Sequence, residues 1–321
     1  MSIRLIQSTF PSAGGLAPIS YTVVEPEGAP RGVLQICHGM CEYFNRYMDF
    51  ARFLAGRGFV VCGNDHLGHG QSVSRPAERG YFGQRGGRET LMKDVHQLTV
   101  LMRERYGDLP LFLLGHSMGS LIVRGMLPVF GQEYAGVILM GTAGFSRLAA
   151  TARRMAASVA RRRGPLYRSG RLQKMTFGNY NRRVESPLTP FDWLTRDRDV
   201  VALYQQDDNC NFIFTAAGFA VLYSLMEAAQ RRASFLGCPT TLPLYLTAGA
   251  EDPVGDYGRG VEEVARAYRR AGVREVTLTL YPGARHEILN ETCRRQVYDD
   301  LLAWLEGHLP PNRNKDKTGG A

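Results

Sequence analysis

Short apolar runs punctuate the first 140 residues of the chain, each ending in glycine or a polar residue: VLQICHG, FVVCGND, LFLLG and GVILMG. Runs this short, apolar on both faces, suit parallel strands buried between two layers of helix. Between them lie stretches whose apolar positions recur at helical spacing, roughly residues 43–57, 88–106 and 117–130. Ahead of them, RLIQSTF and ISYTVVEP read as an opening hairpin. The alternation then stops. Residues 142–235 carry arginine-rich and aromatic segments with helical patterns, and strand signals return as LPLYLTAG and VTLTLYPG. A helical stretch follows each of these, residues 257–271 and 291–308. The pattern predicts an α/β protein: one mostly parallel sheet flanked by helices and interrupted by a helical insertion. Its expected parts are a first core segment at 1–141, the insertion at 142–236, a second core segment at 237–310, and a polar, disordered tail at 311–321.

Open parallel sheets bind ligands at the carboxyl ends of their strands, so the polar residues after each run are the ones to weigh. GHSMG, Gly115 to Gly119, stands between an apolar run and a helical stretch. That is the setting of a nucleophile elbow, in which a strained turn exposes the hydroxyl of Ser117. Gly115 and Gly119 then spare the neighbouring strand and helix a collision. A serine nucleophile needs a base, and the base an orienting acid. Strand ends read in chain order supply Ser117, Asp252 and His286. Asp252 has rivals in Glu251 and Asp256, but Pro253 fixes a turn directly after it. Of the seven histidines, His38, His66, His69 and His116 sit in glycine-rich turns, where neutral hydrogen-bonding roles are expected; His96 and His308 fall on helical patterns. Acyl transfer builds charge on a carbonyl oxygen, and the backbone N–H groups of Met118 and Met40 are the expected donors to it. Gly39 allows close approach of that loop. Glu42 and Arg46, four apart, either pair to hold the loop or form a solvated pair; the sequence leaves both open.

The 321 residues, 44% hydrophobic, are enough for one large α/β domain with an insertion. No apolar run reaches the ~18 residues of a membrane span, and the first residues lack the apolar core of a secretory signal. Six cysteines (Cys37, Cys41, Cys62, Cys210, Cys238 and Cys293) show no C-x-x-C pairing, so reduced thiols in a cytoplasmic protein are expected, without metal or cofactor. The net charge of +9 comes from arginine, lysine appearing only at Lys93, Lys174, Lys315 and Lys317. Composition alone does not call for an anionic partner, and nothing points to nucleic acid. One segment, SRLAATARRMAASVARRR, does change the picture. Leu148, Ala152, Met155 and Val159 fall on one helical face, with Arg147, Arg153, Arg154 and Arg161 opposite. Residues 147–163 thus form a basic amphipathic helix, suited to peripheral contact with an anionic membrane or to plain solvation.

Five blocks in register over residues 31–309 (HGMCEYFNRY, NDHLGHGQS, GHSMGS, GAEDPVG and YPGARHEILNE) resemble the monoacylglycerol lipase and lysophospholipase group of the α/β-hydrolases, a serine aminopeptidase-type family. The resemblance implies an eight-stranded sheet with a helical cap over the site. It implies Ser117 as nucleophile, Asp252 as acid, His286 as base, the Met40 and Met118 N–H groups as oxyanion hole, and a structural Asp65. The implied reaction is hydrolysis of a monoacyl lipid ester, a monoacylglycerol or lysophospholipid, through an acyl-enzyme and without cofactor or metal. Phe212, Phe214, Phe219, Leu222 and Met226, with Gly39, are the residues expected to meet the substrate, although the apolar stretch 212–229 equally suits a helix that packs the cap on the body. Two alternatives stand beside this reading. A peptidase like the proline iminopeptidases shares fold and triad but needs an acidic pocket for a substrate amino group. A hydrolase-like binding protein without turnover is opposed by the intact Ser117, Asp252 and His286.

Overall fold

The structure, a computed structural model, describes residues 3–310; the tail expected to be disordered lies outside the described residues. Its strands are β1 (Arg4–Pro11), β2 (Pro18–Glu25), β3 (Gly32–Cys37), β4 (Phe59–Asn64), β5 (Leu111–His116), β6 (Gly136–Met140), β7 (Leu244–Gly249) and β8 (Val276–Tyr281). They form one sheet in the order β1-β2-β4-β3-β5-β6-β7-β8. The β1–β2 hairpin and the β2–β4 pair are antiparallel; every other pairing is parallel. Each apolar run of the first half is a strand buried at every position, as is β7, whereas β8 on the sheet edge is mostly half-buried. Alternate residues feed two cores: Val33, Leu113 and Leu246 point to one face, Leu34, Leu114 and Ile138 to the other. This is the α/β-hydrolase architecture that the blocks implied.

Helix α1 (Met48–Ala55) covers the second face, while α2 (Gly87–Tyr106) and α3 (Met118–Phe130) cover the first. Between β6 and β7 come α4 (Ala149–Arg163), α5 (Gly170–Phe177), α6 (Arg198–Gln206), α7 (Ala216–Ala229) and α8 (Arg232–Leu236). The chain closes with α9 (Arg259–Arg270) on the first face and α10 (Arg294–Gly307) on the second. Several helices start later than their periodicity predicts, each for a local reason. The stretch from Tyr43 opens with a 3-10 turn, Phe44–Tyr47, before α1. Asp256 and Tyr257 hold left-handed backbone, which delays α9. The Glu291 carboxylate accepts the N–H groups of Arg196, Arg285 and Thr292, so α10 cannot begin there. Phe212 to Phe214 are not helical; Thr215 caps α7 by accepting the Gly218 N–H at 2.9 Å.

Within the insertion, α4 lies on α7 through a stripe of small residues, Ala149, Ala152 and Ala156. This corrects the expected faces of α4. Leu148 and Met155 point outward, 71% and 43% exposed, and share the outer surface with Arg147, Arg154 and Arg161. Arg153 instead pairs with Glu227 of α7 at 2.7 Å. A fully buried Arg124 of α3 fastens the insertion to the body: it donates to the Thr142 hydroxyl at 3.2 Å and to the carbonyls of Ala143 and Ala229 at 2.9 and 2.8 Å. Among the described residues, no helix is long and apolar enough to cross a membrane.

Candidate active site

Ser117 sits at the β5–α3 turn with φ 51° and ψ −118°, a region that costs a non-glycine residue about 1–3 kcal/mol. The surroundings enforce this backbone. A methyl on Gly115 would stand 2.8 Å from the Gly119 carbonyl and Ser120 Cα, and one on Gly119 would run into the carbonyls of Cys37 and His38. The two glycines thus bring α3 down onto the ends of β3 and β5, as the G-x-S-x-G spacing predicts. The Ser117 N–H donates to the Met140 carbonyl at 3.0 Å, and its carbonyl accepts the Ser120 hydroxyl at 2.6 Å.

The β7 and β8 ends bring Asp252 and His286 together. Asp252 Oδ2 accepts from His286 Nδ1 at 2.9 Å, with both side chains buried. That bond leaves Nε2 as the nitrogen free to take a proton. The rivals are elsewhere: Asp256 is exposed and pairs with Arg259 at 2.6 Å, and Glu251 is exposed. The Val254 N–H donates to Asp252 Oδ1 at 2.9 Å, so the turn after β7 itself orients the carboxylate. A methyl on Gly141, at the end of β6, would press on the His286 ring at 3.1 Å, a constraint the sequence did not signal.

The loop after β3 is tied to the elbow. A methyl on Gly39 would lie 3.0 Å from Ser117 Cβ, so the Met40 segment and the Met118 end of α3 flank the serine from two sides. Glu42 holds the loop: its Oε1 accepts the Gly39 N–H, the Tyr47 hydroxyl at 2.7 Å and His116 Nδ1 at 2.8 Å. Arg46 lies between Glu42 and Glu287 and pairs with both, so the Glu42–Arg46 pair is buried structure rather than a solvated one. Burial alone would raise the Glu42 carboxyl, but His116, Arg46 and the Tyr47 hydroxyl bring it down to about 2. Burial alone would depress His116, but Glu42, Glu287 and Asp252 lift it above its ordinary value. Glu42 thus favours the charged form of His116, where its glycine-rich turn suggested a neutral hydrogen-bonding role. His38, His66 and His69 do stay neutral. Burial, reinforced by their mutual proximity for His38 and His69, holds His38 well down, His66 at about 4 and His69 at about 3. They stitch the loops together: His66 N–H donates to His38 Nε2 at 2.9 Å, and Cys41 N–H to His69 Nε2 at 3.3 Å. Asp65 accepts the N–H groups of Phe44 and Gln71 at 3.0 and 2.9 Å, the structural role expected of it.

Ser117 and His286 open on one cavity of about 540 Å³, within the range of small-molecule sites. Met40 and Met118 line it, as do Phe212, Leu222 and Met226 of the insertion. Phe214 and Phe219 do not. Both are fully buried; Phe214 meets Phe82 and His69 edge to face, and Phe219 packs behind it. The left-handed Gly80, which Phe214 touches, fixes that placement. Gly39 stands behind the serine rather than on the cavity wall. Sequence reasoning missed the other half of the wall: Phe177, Tyr180, Phe191, Trp193 and Leu194, with Gln173, Lys174 and Asn211 as polar members. The aromatic motif FDWL was the only signal for these.

Comparison with known proteins follows the same lines. A family model described as serine aminopeptidase, S33, matches residues 28–293. The chain is 29% identical over 319 residues to a monoacylglycerol lipase of Mycolicibacterium smegmatis, covering 94% of this chain and 98% of that protein. It is 28% identical over 293 residues to a monoglyceride lipase of Mus musculus, covering 89% and 86%. Among solved structures, a thermostable carboxyl esterase from Bacillus coagulans in complex with glycerol superposes with a TM-score of 0.90 at 31% identity, covering 96% of this chain and all of that one. A soluble variant of monoglyceride lipase from Saccharomyces cerevisiae, bound to a substrate analog, shares the fold with a TM-score of 0.72 at 20% identity, covering 96% and 97%.

Proposed function

Because the chain belongs to the serine aminopeptidase (S33) family of α/β-hydrolases and is a carboxylic ester hydrolase, we propose that it cleaves monoacyl lipid esters with Ser117, Asp252 and His286 as its triad. One observation carries the proposal: a strained serine and a buried Asp252–His286 pair share a single, largely apolar cavity. His286 Nε2 takes the proton as Ser117 Oγ bonds to the ester carbonyl carbon. The oxyanion that forms is met by the N–H groups of Met40 and Met118. The imidazolium passes its proton to the leaving alcohol oxygen as the C–O bond breaks. Water activated by the same histidine then releases the fatty acid from the acyl-enzyme. The apolar wall, with Phe212, Leu222 and Met226, receives the acyl chain.

The aminopeptidase reading finds less support. A free α-amino group would need an unengaged carboxylate, and both Glu42 and Glu287 on this cavity are already paired with Arg46. The outer face of α4, with Leu148 and Met155 beside Arg147, Arg154 and Arg161, is the surface we assign to peripheral contact with an anionic membrane, where such substrates reside. The purified protein should be screened against monoacylglycerols, lysophospholipids, short-chain esters and aminoacyl amides. Turnover concentrated on the monoacyl lipids supports the proposal. Turnover confined to aminoacyl amides or to acetate esters overturns it.

A further inference from the structure

The base does not stand on the body of the fold alone. The segment 188–197 of the insertion is sewn to the loop that carries it. Leu194 C=O accepts the Glu287 N–H at 2.7 Å, Trp193 C=O accepts the His286 N–H at 3.4 Å, and the Arg285 guanidinium donates to the carbonyls of Asp192 and Thr195 at 2.6 and 3.2 Å. Through these bonds the Trp193 indole is set against His286, with ring centroids 5.0 Å apart and planes tilted by 41°. Trp193 is 9% exposed and is itself held by Tyr180 at 4.8 Å and Phe177 at 6.0 Å. The His116 ring lies 4.8 Å from His286. The charged and titratable groups around His286 are therefore Asp252 on its Nδ1, His116 with its partner Glu42, and Glu287 with Arg46. Tyr180 is near Asp252, and Arg285 is turned away toward its carbonyls.

We propose that Trp193 is a positioning residue for the base: its ring face fixes the His286 imidazole and stabilises the imidazolium formed as the Ser117 proton is transferred. The inference rests on the reading of His286 as base. Its physics is the attraction of a cation to the electron-rich face of an indole within about 6 Å, which strengthens where water is excluded. The charge exists only after the proton leaves Ser117 Oγ for His286 Nε2, and vanishes when that proton goes to the leaving alcohol oxygen. Trp193 also stands on the cavity wall, but its action on the base falls on the chemical step. It also makes the base incomplete until segment 188–197 is docked, so the covering element and the chemistry are coupled through one side chain.

The test uses an alkyl fluorophosphonate, which reports nucleophile activation without a substrate assignment. Trp193→Leu should lower the maximal inactivation rate about tenfold while the half-saturating concentration moves less than about threefold. Trp193→Phe, which keeps a ring face, should recover to within about threefold of the parent. A Leu variant that reacts at the parental maximal rate overturns the inference. So does a loss confined to the half-saturating concentration, or a Phe variant as slow as Leu at an unchanged melting temperature. His286→Asn run alongside separates the two readings. If it reacts like the parent, the base assignment fails. If it is inert and Trp193→Leu is unimpaired, only the role of Trp193 fails.

Discussion

Asp252 and Asp256 lie four residues apart on one loop, yet their surroundings assign them opposite fates. The first is sealed from water against His286, and the second is exposed beside Arg259. Asp252→Asn should therefore keep the fold and lose about 10⁴-fold in kcat, because the amide no longer enforces the productive tautomer of the imidazole. Asp256→Asn should stay within a few-fold of the parent. Ester hydrolysis followed spectrophotometrically decides between them, and reversed effects would move the acid to Asp256. Ser117 and His286 were legible at this scale because strand ends are easily located in sequence. The upward shift of His116 was not. Its cause is the carboxylates of Glu42, Glu287 and Asp252, all distant in sequence, acting against burial.

At the scale of elements, α4 shows where periodicity reaches its limit. The repeat located a basic amphipathic helix but set Leu148 and Met155 apart from the arginines they share a surface with, because three alanines can bury more closely than Leu148 or Met155. With the outer face now defined, changing Arg154, Arg161 and Arg162 to glutamine should abolish co-sedimentation with anionic vesicles. The parent should bind them at low salt and release at high salt, with about 1 kcal/mol lost per arginine. Equal binding of parent and variant would remove α4 from the membrane. The extended lead into α7 and the helix itself make a second expectation. Phe212, Leu222 and Met226 present apolar wall to the cavity, so kcat/KM should climb about fourfold for each added methylene, the equivalent of about 0.8 kcal/mol. The climb should stop when the cavity is filled. A flat series from two to ten carbons would contradict an acyl pocket.

For the whole molecule, three neutral imidazoles set the response to acid. His38, His66 and His69 are buried where the loops after β3 and β4 meet, and burial holds each below its ordinary value. The unfolded chain takes up protons near pH 6.5; the folded chain does so only near pH 4 at His66 and pH 3 at His69. Stability is thus fully present above pH 6.5 and is lost as pH falls toward those values, by up to about 1.4 kcal/mol per pH unit for each histidine. Glu42, depressed to about 2, adds a further loss only below its unfolded value of 4.5. Urea unfolding at pH 7.5, 6 and 5 should give a steadily falling stability, and His69→Gln should flatten the slope. A constant midpoint over that range would refute it. The eight strands and their largely parallel sheet were visible from pattern alone, since buried parallel strands read as apolar runs; their order in the sheet was not. The wall made by segment 188–197 was not, because its place depends on bonds to Arg285 and Glu287 that only the folded chain brings within reach.

The left-handed backbone of Ser117 has a consequence for heredity as much as for chemistry. Glycine alone adopts φ 51° without penalty, and alanine inherits the strain unchanged. Ser117→Gly should therefore melt about 1–2 °C above the parent, a net gain of about 1 kcal/mol after the added freedom of the unfolded glycine, whereas Ser117→Ala should not. A random library screened only for chains that survive heating would enrich glycine at this codon. One screened for turnover would retain serine. Calorimetry on the three proteins would show whether persistence and reactivity pull this position apart.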